Sequence, residues 1–313
     1  MPSRKKRLFD LVNKLKDSAD TRMVFYRGLR WFAIILAAGL FLKLFVCDSV
    51  RVDGSQMEPT VKAGDRVLLM KAPYAAPLFK SFFAVENKLI VAELPKEDGA
   101  RTILRIAAVS GDTVSVYAGQ FYRDCDAIPG LSKDTARHNV LPAEYSPADF
   151  MSSYRVPAPG DTITFAELTL RDLIFTYAAM RQERSHITLK AFALAGDSII
   201  SGYRIKDFSL YNGSIDSIPE ELAVDWFFWD RLREYMSISS EESEVKPQLA
   251  FSVFKGANEI TGFRVKKRYL FLMGDNWSGA KDSRYFGAVR LDNIKGRSVM
   301  RLWGNGKFMG RLK

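Results

Sequence analysis

From Trp31 to Val46 the chain reads WFAIILAAGLFLKLFV, an apolar run broken only by Gly39 and Lys43. A helix of that composition has no polar face to offer water, so it belongs inside protein or inside lipid. It is shorter than the ~20 residues of an ideal span, yet Leu29 and Val50 extend it, and Lys43 can reach a headgroup layer along its own methylene stem. Residues 1–30 carry Arg4, Lys5, Lys6, Arg7, Lys14, Lys16, Arg22, Arg27 and Arg30 against Asp10, Asp17 and Asp20, a net charge of +6. The expected layout is a basic cytoplasmic arm over 1–30 and one transmembrane helix over 31–48. By the positive-inside rule, residues 49–313 then stand on the exoplasmic, periplasmic side of the cytoplasmic membrane. A cleavable signal peptide is disfavoured, because Phe45-Val46-Cys47-Asp48 offers no small-residue cleavage site and the charged arm is long. The lipid bilayer is therefore an expected partner.

The whole chain carries a formal charge of +10 over 313 residues. Most of that excess sits in the arm and the remainder is nearly balanced, so no nucleic-acid partner is expected. An apolar content of 47% is enough to bury a sizeable core. The two cysteines, Cys47 and Cys125, form no disulfide framework and are expected to be unpaired.

Beyond the anchor, five Gly-Asp pairs punctuate the chain: Gly64-Asp65, Gly111-Asp112, Gly160-Asp161, Gly196-Asp197 and Gly274-Asp275. The first four precede the β-favouring runs RVLLM, TVSVY, TITF and SII, where glycine permits the turn and aspartate caps it. With Leu89–Ala92, Ile103–Val109, Leu249–Phe254 and Tyr269–Met273, these runs predict a mainly β, antiparallel unit over 49–313. Two stretches break the pattern. Glu167–Glu183 and Pro219–Met236 space their apolar residues as packing helices do. Ser237–Lys246, SISSEESEVK, predicts a solvated loop. The aromatic stretch Tyr74–Phe83 suits either the bilayer or the core.

Chemistry has little material to work with. His138 and His186 are the only histidines, and neither has a cysteine or acidic cluster at metal spacing, so no metal is expected and a Ser-His-Asp triad lacks parts. None of the Gly-Asp turns has the spacing of a phosphate-cradling loop, and no cofactor is expected.

Four blocks remain. They are Gly54-Ser55-Gln56-Met57-Glu58-Pro59-Thr60, Gly64-Asp65-Arg66-Val67, Ile103-Leu104-Arg105-Ile106 running to Gly111-Asp112, and Gly274-Asp275-Asn276-Trp277 running through Asp282-Ser283-Arg284-Tyr285-Phe286-Gly287. In this order, behind an anchor, they resemble bacterial signal peptidase I. The resemblance covers the anchor and most of the exported part, with residues from about 120 to 265 as an insert. It implies a signal-peptidase-like antiparallel β domain with helical inserts, and a serine protease in which an uncharged lysine takes the proton from an attacking serine.

The resemblance also implies which positions carry that reaction, and this chain departs from it at each. The serine that stands before Met is Gln56, the lysine that stands before the arginine is Leu104, and the serine partnering that lysine is Ala280. The arginine after Gly-Asp-Asn is Trp277. Gly54, Met57, Pro59, Ile103 and Ile106 are the expected peptide-binding positions, and Gly274, Asp275, Asn276, Asp282, Ser283 and Arg284 the framework, with an Asp282–Arg284 ion pair. The favoured expectation is a non-catalytic homologue that binds signal peptides of exported proteins or an active signal peptidase paralogue. An active enzyme using a displaced Ser55 and Lys190 pair is the alternative, although ~1 Å of misplacement already costs about 10²-fold in rate. An envelope scaffold with a vestigial cleft is the third.

Overall fold

The computed structural model describes residues 4–71, 87–94, 101–134, 139–141, 146–183, 186–239, 247–304 and 307–312. Tyr74–Phe83 and His138 lie outside them. The chain divides into two compact units, Met1–Asp48 and Ser49–Lys313.

The first unit is helix α1, Arg4–Phe41, continued by a wider π-helical turn over Leu42–Val46. Its stretch Met23–Val46 is 24 residues long, has a mean hydropathy of 2.0 and is nowhere buried, so by length and composition it suits a membrane crossing. The span is longer than the run from Trp31, because Met23 to Leu29 continue the helix with an apolar majority. Phe25, Trp31, Phe32 and Ile35 each remain more than three-fifths exposed, and side chains of that kind are not satisfied by water.

The second unit is mainly β. Its principal sheet contains β1 (Cys47–Arg51), β2 (Arg66–Met70), β3 (Leu89–Glu93), β4 (Arg101–Val109), β5 (Tyr269–Met273), β6 (Val289–Arg290), β7 (Ile294–Gly304) and β8 (Lys307–Arg311). The order across the sheet is β1-β2-β7-β3-β4-β5-β6, with β8 also paired to β7. Every pair with a defined register is antiparallel.

Between β4 and β5 the chain builds two four-stranded sheets, one centred on Thr113–Tyr117 and Gln120–Arg123, the other on Ile187–Ala195 and Gln248–Lys255. It also builds helices α2 (Leu170–Gln182) and α3 (Trp226–Ser239). The principal sheet lies between two cores. Tyr269, Phe271 and Met273 enter the one that includes Phe175, Trp229 and Trp277, whereas Leu270 and Leu272 enter the one that includes Met57, Leu104 and Ile106. A period-2 strand covered on both faces is apolar throughout, which is why all five residues of β5 are buried.

Three Gly-Asp turns share one device. The carboxylates of Asp65, Asp112 and Asp161 accept the N–H of the residue three before them, Lys62, Val109 and Ala158, at 3.0, 2.9 and 2.9 Å. Their glycines take φ of +86°, +100° and +101°, a region costly for any residue with a Cβ. The fifth pair is different: Gly274 is outside that region, and Asp275 serves the site described below.

The helices depart from expectation at their ends. Thr169 caps α2 by accepting the Asp172 N–H, so the helix starts at Leu170 rather than Glu167. The single helix expected over Pro219–Met236 is broken into Glu220–Ala223 and α3. The break falls at Asp225, whose carboxylate accepts the N–H groups of Phe227 and Phe228 and so starts a new helix. That second helix also runs on through Ser239, which takes Ser237–Ser239 out of the expected loop.

Candidate functional site

The first part of the site is the loop after β1. Val52 donates to the Asp65 carbonyl at 2.8 Å and Gly64 donates to the Val52 carbonyl at 2.9 Å, which closes the loop at its base. Met57 and Val61 are buried and pin it from inside, while Gly54, Ser55 and Pro59 are exposed and Gln56 is half-buried. Gly54 has φ +90°, so a side chain there would strain the turn.

The second part is the segment after β5. Asn276 donates its backbone N–H to the Gln56 carbonyl and its side-chain amide to the Ser55 carbonyl, both at 3.0 Å. Asp282 turns back to accept the Gly274 N–H at 2.9 Å, and the Ser283 hydroxyl accepts the Leu272 N–H at 3.0 Å. Asp282 and Arg284 form a two-point ion pair at 2.8 and 2.7 Å, with neither side chain exposed at all. Burial acts to lower the Arg284 pKa, but the Asp282 carboxylate outweighs it and holds the guanidinium charged. The guanidinium also lies over the Trp277 ring, 4.6 Å from its centroid. Tryptophan at 277 is thus integrated into the framework rather than merely tolerated.

A second ion pair joins β4 to this segment. Arg105 grips Asp275 at 2.8 and 2.7 Å and reaches the carbonyl and side chain of Asn87 at 3.1 and 3.0 Å. The Thr60 hydroxyl donates to the same Asp275. Asn87 and Thr60 each act through a partner distant in the chain, so no local pattern marks these contacts.

Two of the three positions meet at Gly274. A Cβ there would stand 2.4 Å from the Ala280 Cβ and 2.6 Å from the Gln56 carbonyl oxygen. Leu104 immediately precedes Arg105, which pairs with Met273 across the sheet. Leu104 has no exposed surface and shares its core with Val52 and Met57. Positions 56, 104 and 280 therefore carry an amide, an isobutyl group and a methyl, none of which is a nucleophile or a base. Gly274→Ala is expected to destabilise the unit by about 1–3 kcal/mol through overpacking, measured by denaturant unfolding of the solubilised chain. Wild-type stability in that variant would show that Gln56 and Ala280 can retreat.

Ile103 and Ile106 are buried in the same core as Met57, so these three present backbone rather than side chain to any ligand. Strand β3 pairs with Arg101–Arg105 and β5 with Arg105–Val109. Among the described residues, Arg101–Leu104 thus has a strand partner on one side only. Lys190 is not brought to Ser55. It stands exposed on Ile187–Ala195, in another sheet, with its ammonium 4.6 Å from the Phe254 ring centroid. Among the described residues no hydrogen bond or ion pair links it to the loop. No cluster of His, Cys, Asp and Glu suited to a metal occurs among them either.

The segment between β4 and β5 also contacts the site. Trp226 donates its indole N–H to the Arg284 carbonyl at 2.6 Å, and the rings of Phe227 and Tyr285 meet edge to face at 6.0 Å.

An antiparallel β unit behind an N-terminal apolar helix, with these blocks gathered at one sheet, defines a class. The family described as "Signal peptidase, peptidase S26" matches residues 25–303, and the chain belongs to that family. Membership places it among proteins of signal-peptide processing. It is similar to the signal peptidase I of Aquifex aeolicus (strain VF5), 24% identical over 270 residues, which cover 86% of this chain and 80% of that protein. Among solved structures it matches a signal peptidase I from Enterococcus faecalis V583 at 15% identity, with a TM-score of 0.26, covering 68% of this chain and 94% of that one.

Proposed function

We propose that this protein is a membrane-anchored signal peptidase homologue that binds signal peptides, or an active signal peptidase, without cutting. Its N-terminal arm stays in the cytoplasm and its β unit stands on the far side of the membrane. The observation that carries this reading is Leu104, fully enclosed among apolar side chains where the family resemblance calls for a basic amine. An isobutyl group cannot accept a proton, and the flanking positions 56 and 280 lack a hydroxyl as well. The framework around them is kept: the Asp282–Arg284 and Arg105–Asp275 pairs and the Asn276 bridge still hold the loop in place.

A photo-crosslinking residue in place of Gln56, used in cells exporting labelled precursors, tests the reading. Capture of uncut signal peptides, or of one signal peptidase, is the expected result. Silence at position 56 favours a scaffold instead. Signal-peptide cleavage by the purified chain that disappears in Ser55→Ala would overturn the non-catalytic reading outright.

A further inference from the structure

Within the segment between β4 and β5, a cavity of about 560 Å³ lies among Thr113–Tyr117, Met151–Arg155 and the helices α2 and α3. Pockets that enclose small ligands span about 300–1,000 Å³. The wall beside the strands is held in shape by a buried cation. Val114 pairs with Tyr154 and Val116 with Met151, so Ser115 faces two residues, Ser152 and Ser153, in a bulge. Arg171, only 7% exposed, fills that bulge. It donates to the carbonyls of Ser152 and Ser153, to the Ser152 hydroxyl and twice to Asp172, at 2.6 to 2.9 Å, which engages its whole guanidinium. A further wall is one face of α3, where Trp226, Asp230 and Arg233 stand at i, i+4 and i+7.

The lining is apolar with a few polar groups, and those are mainly donors. Trp226, Met151, Leu170 and Val116 offer apolar surface, and Tyr117 and Phe150 extend it with rings edge to face, 5.4 Å between centroids. The Ser152 hydroxyl accepts from Arg171, and the Thr169 hydroxyl from the Asp172 N–H. Neither donates to another described residue, so each has its own proton to give. Arg233 is an exposed cation that spends one N–H on Asp230, and a guanidinium carries five. A carboxylate only accepts hydrogen bonds, which makes it the complement of such a set.

We infer that this cavity binds a small amphipathic carboxylic acid, its apolar body against Trp226, Met151 and Leu170 and its carboxylate held by Arg233 with the hydroxyls of Ser152 and Thr169. The site does not depend on the reading of the cleft as a peptide site. Trp226 nevertheless touches both, because its indole N–H holds the Arg284 carbonyl of the framework. An amide of the same shape keeps the apolar contacts and loses the charge-assisted bonds, so preference for acid over amide is the signature of the site.

The test uses the full chain in lipid nanodiscs, with empty nanodiscs as the blank, and titrates 4-phenylbutyrate and 4-phenylbutanamide by calorimetry. The acid is expected to bind with a Kd of about 0.1 mM, and the amide about tenfold more weakly. Arg233→Gln is expected to bring the acid down to the affinity of the amide and to leave the amide unchanged. Its unfolding midpoint should match the wild type, which separates lost recognition from lost fold. Ser115→Phe, which sets a ring against the cavity, is expected to abolish binding of both compounds. Equal binding of acid and amide by the wild type overturns the inference, and so does acid binding that survives Arg233→Gln or Ser115→Phe unchanged. Absence of saturable binding of either compound by the wild type overturns it as well, and none of these outcomes bears on the cleft.

Discussion

Gln56→Ser, Leu104→Lys and Ala280→Ser introduced together are expected to give a chain that cleaves signal-peptide substrates, with each single variant no more active than the wild type. Nucleophile and base act as a unit, so the gain is grossly non-additive. The base alone typically contributes about 10²–10⁴-fold. The enclosure of Leu104 sets the conditions of the experiment. A lysine amine starts from a pKa of about 10.4 and can be lowered by up to 3–5 units when fully buried. Between the depressed folded value and 10.4 the unfolded chain binds more protons, so the stability of the variant rises with pH. At neutral pH a shift of about three units amounts to ~4 kcal/mol of lost stability, at 1.36 kcal/mol per unit. Cleavage should therefore rise with pH through that depressed pKa, and assays near pH 9 keep the variant folded. A folded triple variant that cuts nothing there would favour the scaffold.

The largest effect on stability is expected at Asp282. Asp282→Asn leaves the fully buried Arg284 guanidinium without its counter-charge, and breaking a buried pair from one side costs about 3–5 kcal/mol. Lys281→Ala, one residue earlier and exposed, is expected to change stability by less than about 0.5 kcal/mol. Urea unfolding of both variants makes the comparison. A small loss in Asp282→Asn would mean that the Trp277 ring and the Trp277 carbonyl, which accepts from Arg284 at 3.2 Å, suffice to hold the charge. Loss of fold at position 282 should also loosen the loop at 54–57, because the Gly274 N–H is tied to the same carboxylate.

Much of this was legible in the sequence, for identifiable reasons. The apolar run after a basic arm, the period-2 strands and the Gly-Asp turns are local signals, and local signals survive without knowledge of the fold. The four blocks carried the family resemblance, and through it the positions 56, 104 and 280. What could not be read was whatever depends on partners far apart in the chain. Asn276 bridges to Ser55, Arg105 to Asp275, and Gly274 brings Gln56 and Ala280 together, each across many intervening residues. The break at Asp225 has a local signal: an aspartate directly ahead of an aromatic helical run is a helix start. The burial of Ile103 and Ile106 was missed for a different reason. Apolar periodicity marks a covered face but not what covers it, and here a second core lies under the strand.

Strand β5 gives Tyr269, Phe271 and Met273 to the core built largely by the segment between β4 and β5, and Leu270 and Leu272 to the core beneath the site. That segment is consequently not an appendage that the rest could shed. Excision would turn three large side chains toward water, at roughly 1.5–3 kcal/mol each, and would remove Trp226 from the Arg284 carbonyl. A change of sequence anywhere along that shared wall is thus inherited by both rooms, and the cleft cannot drift independently of the segment between β4 and β5.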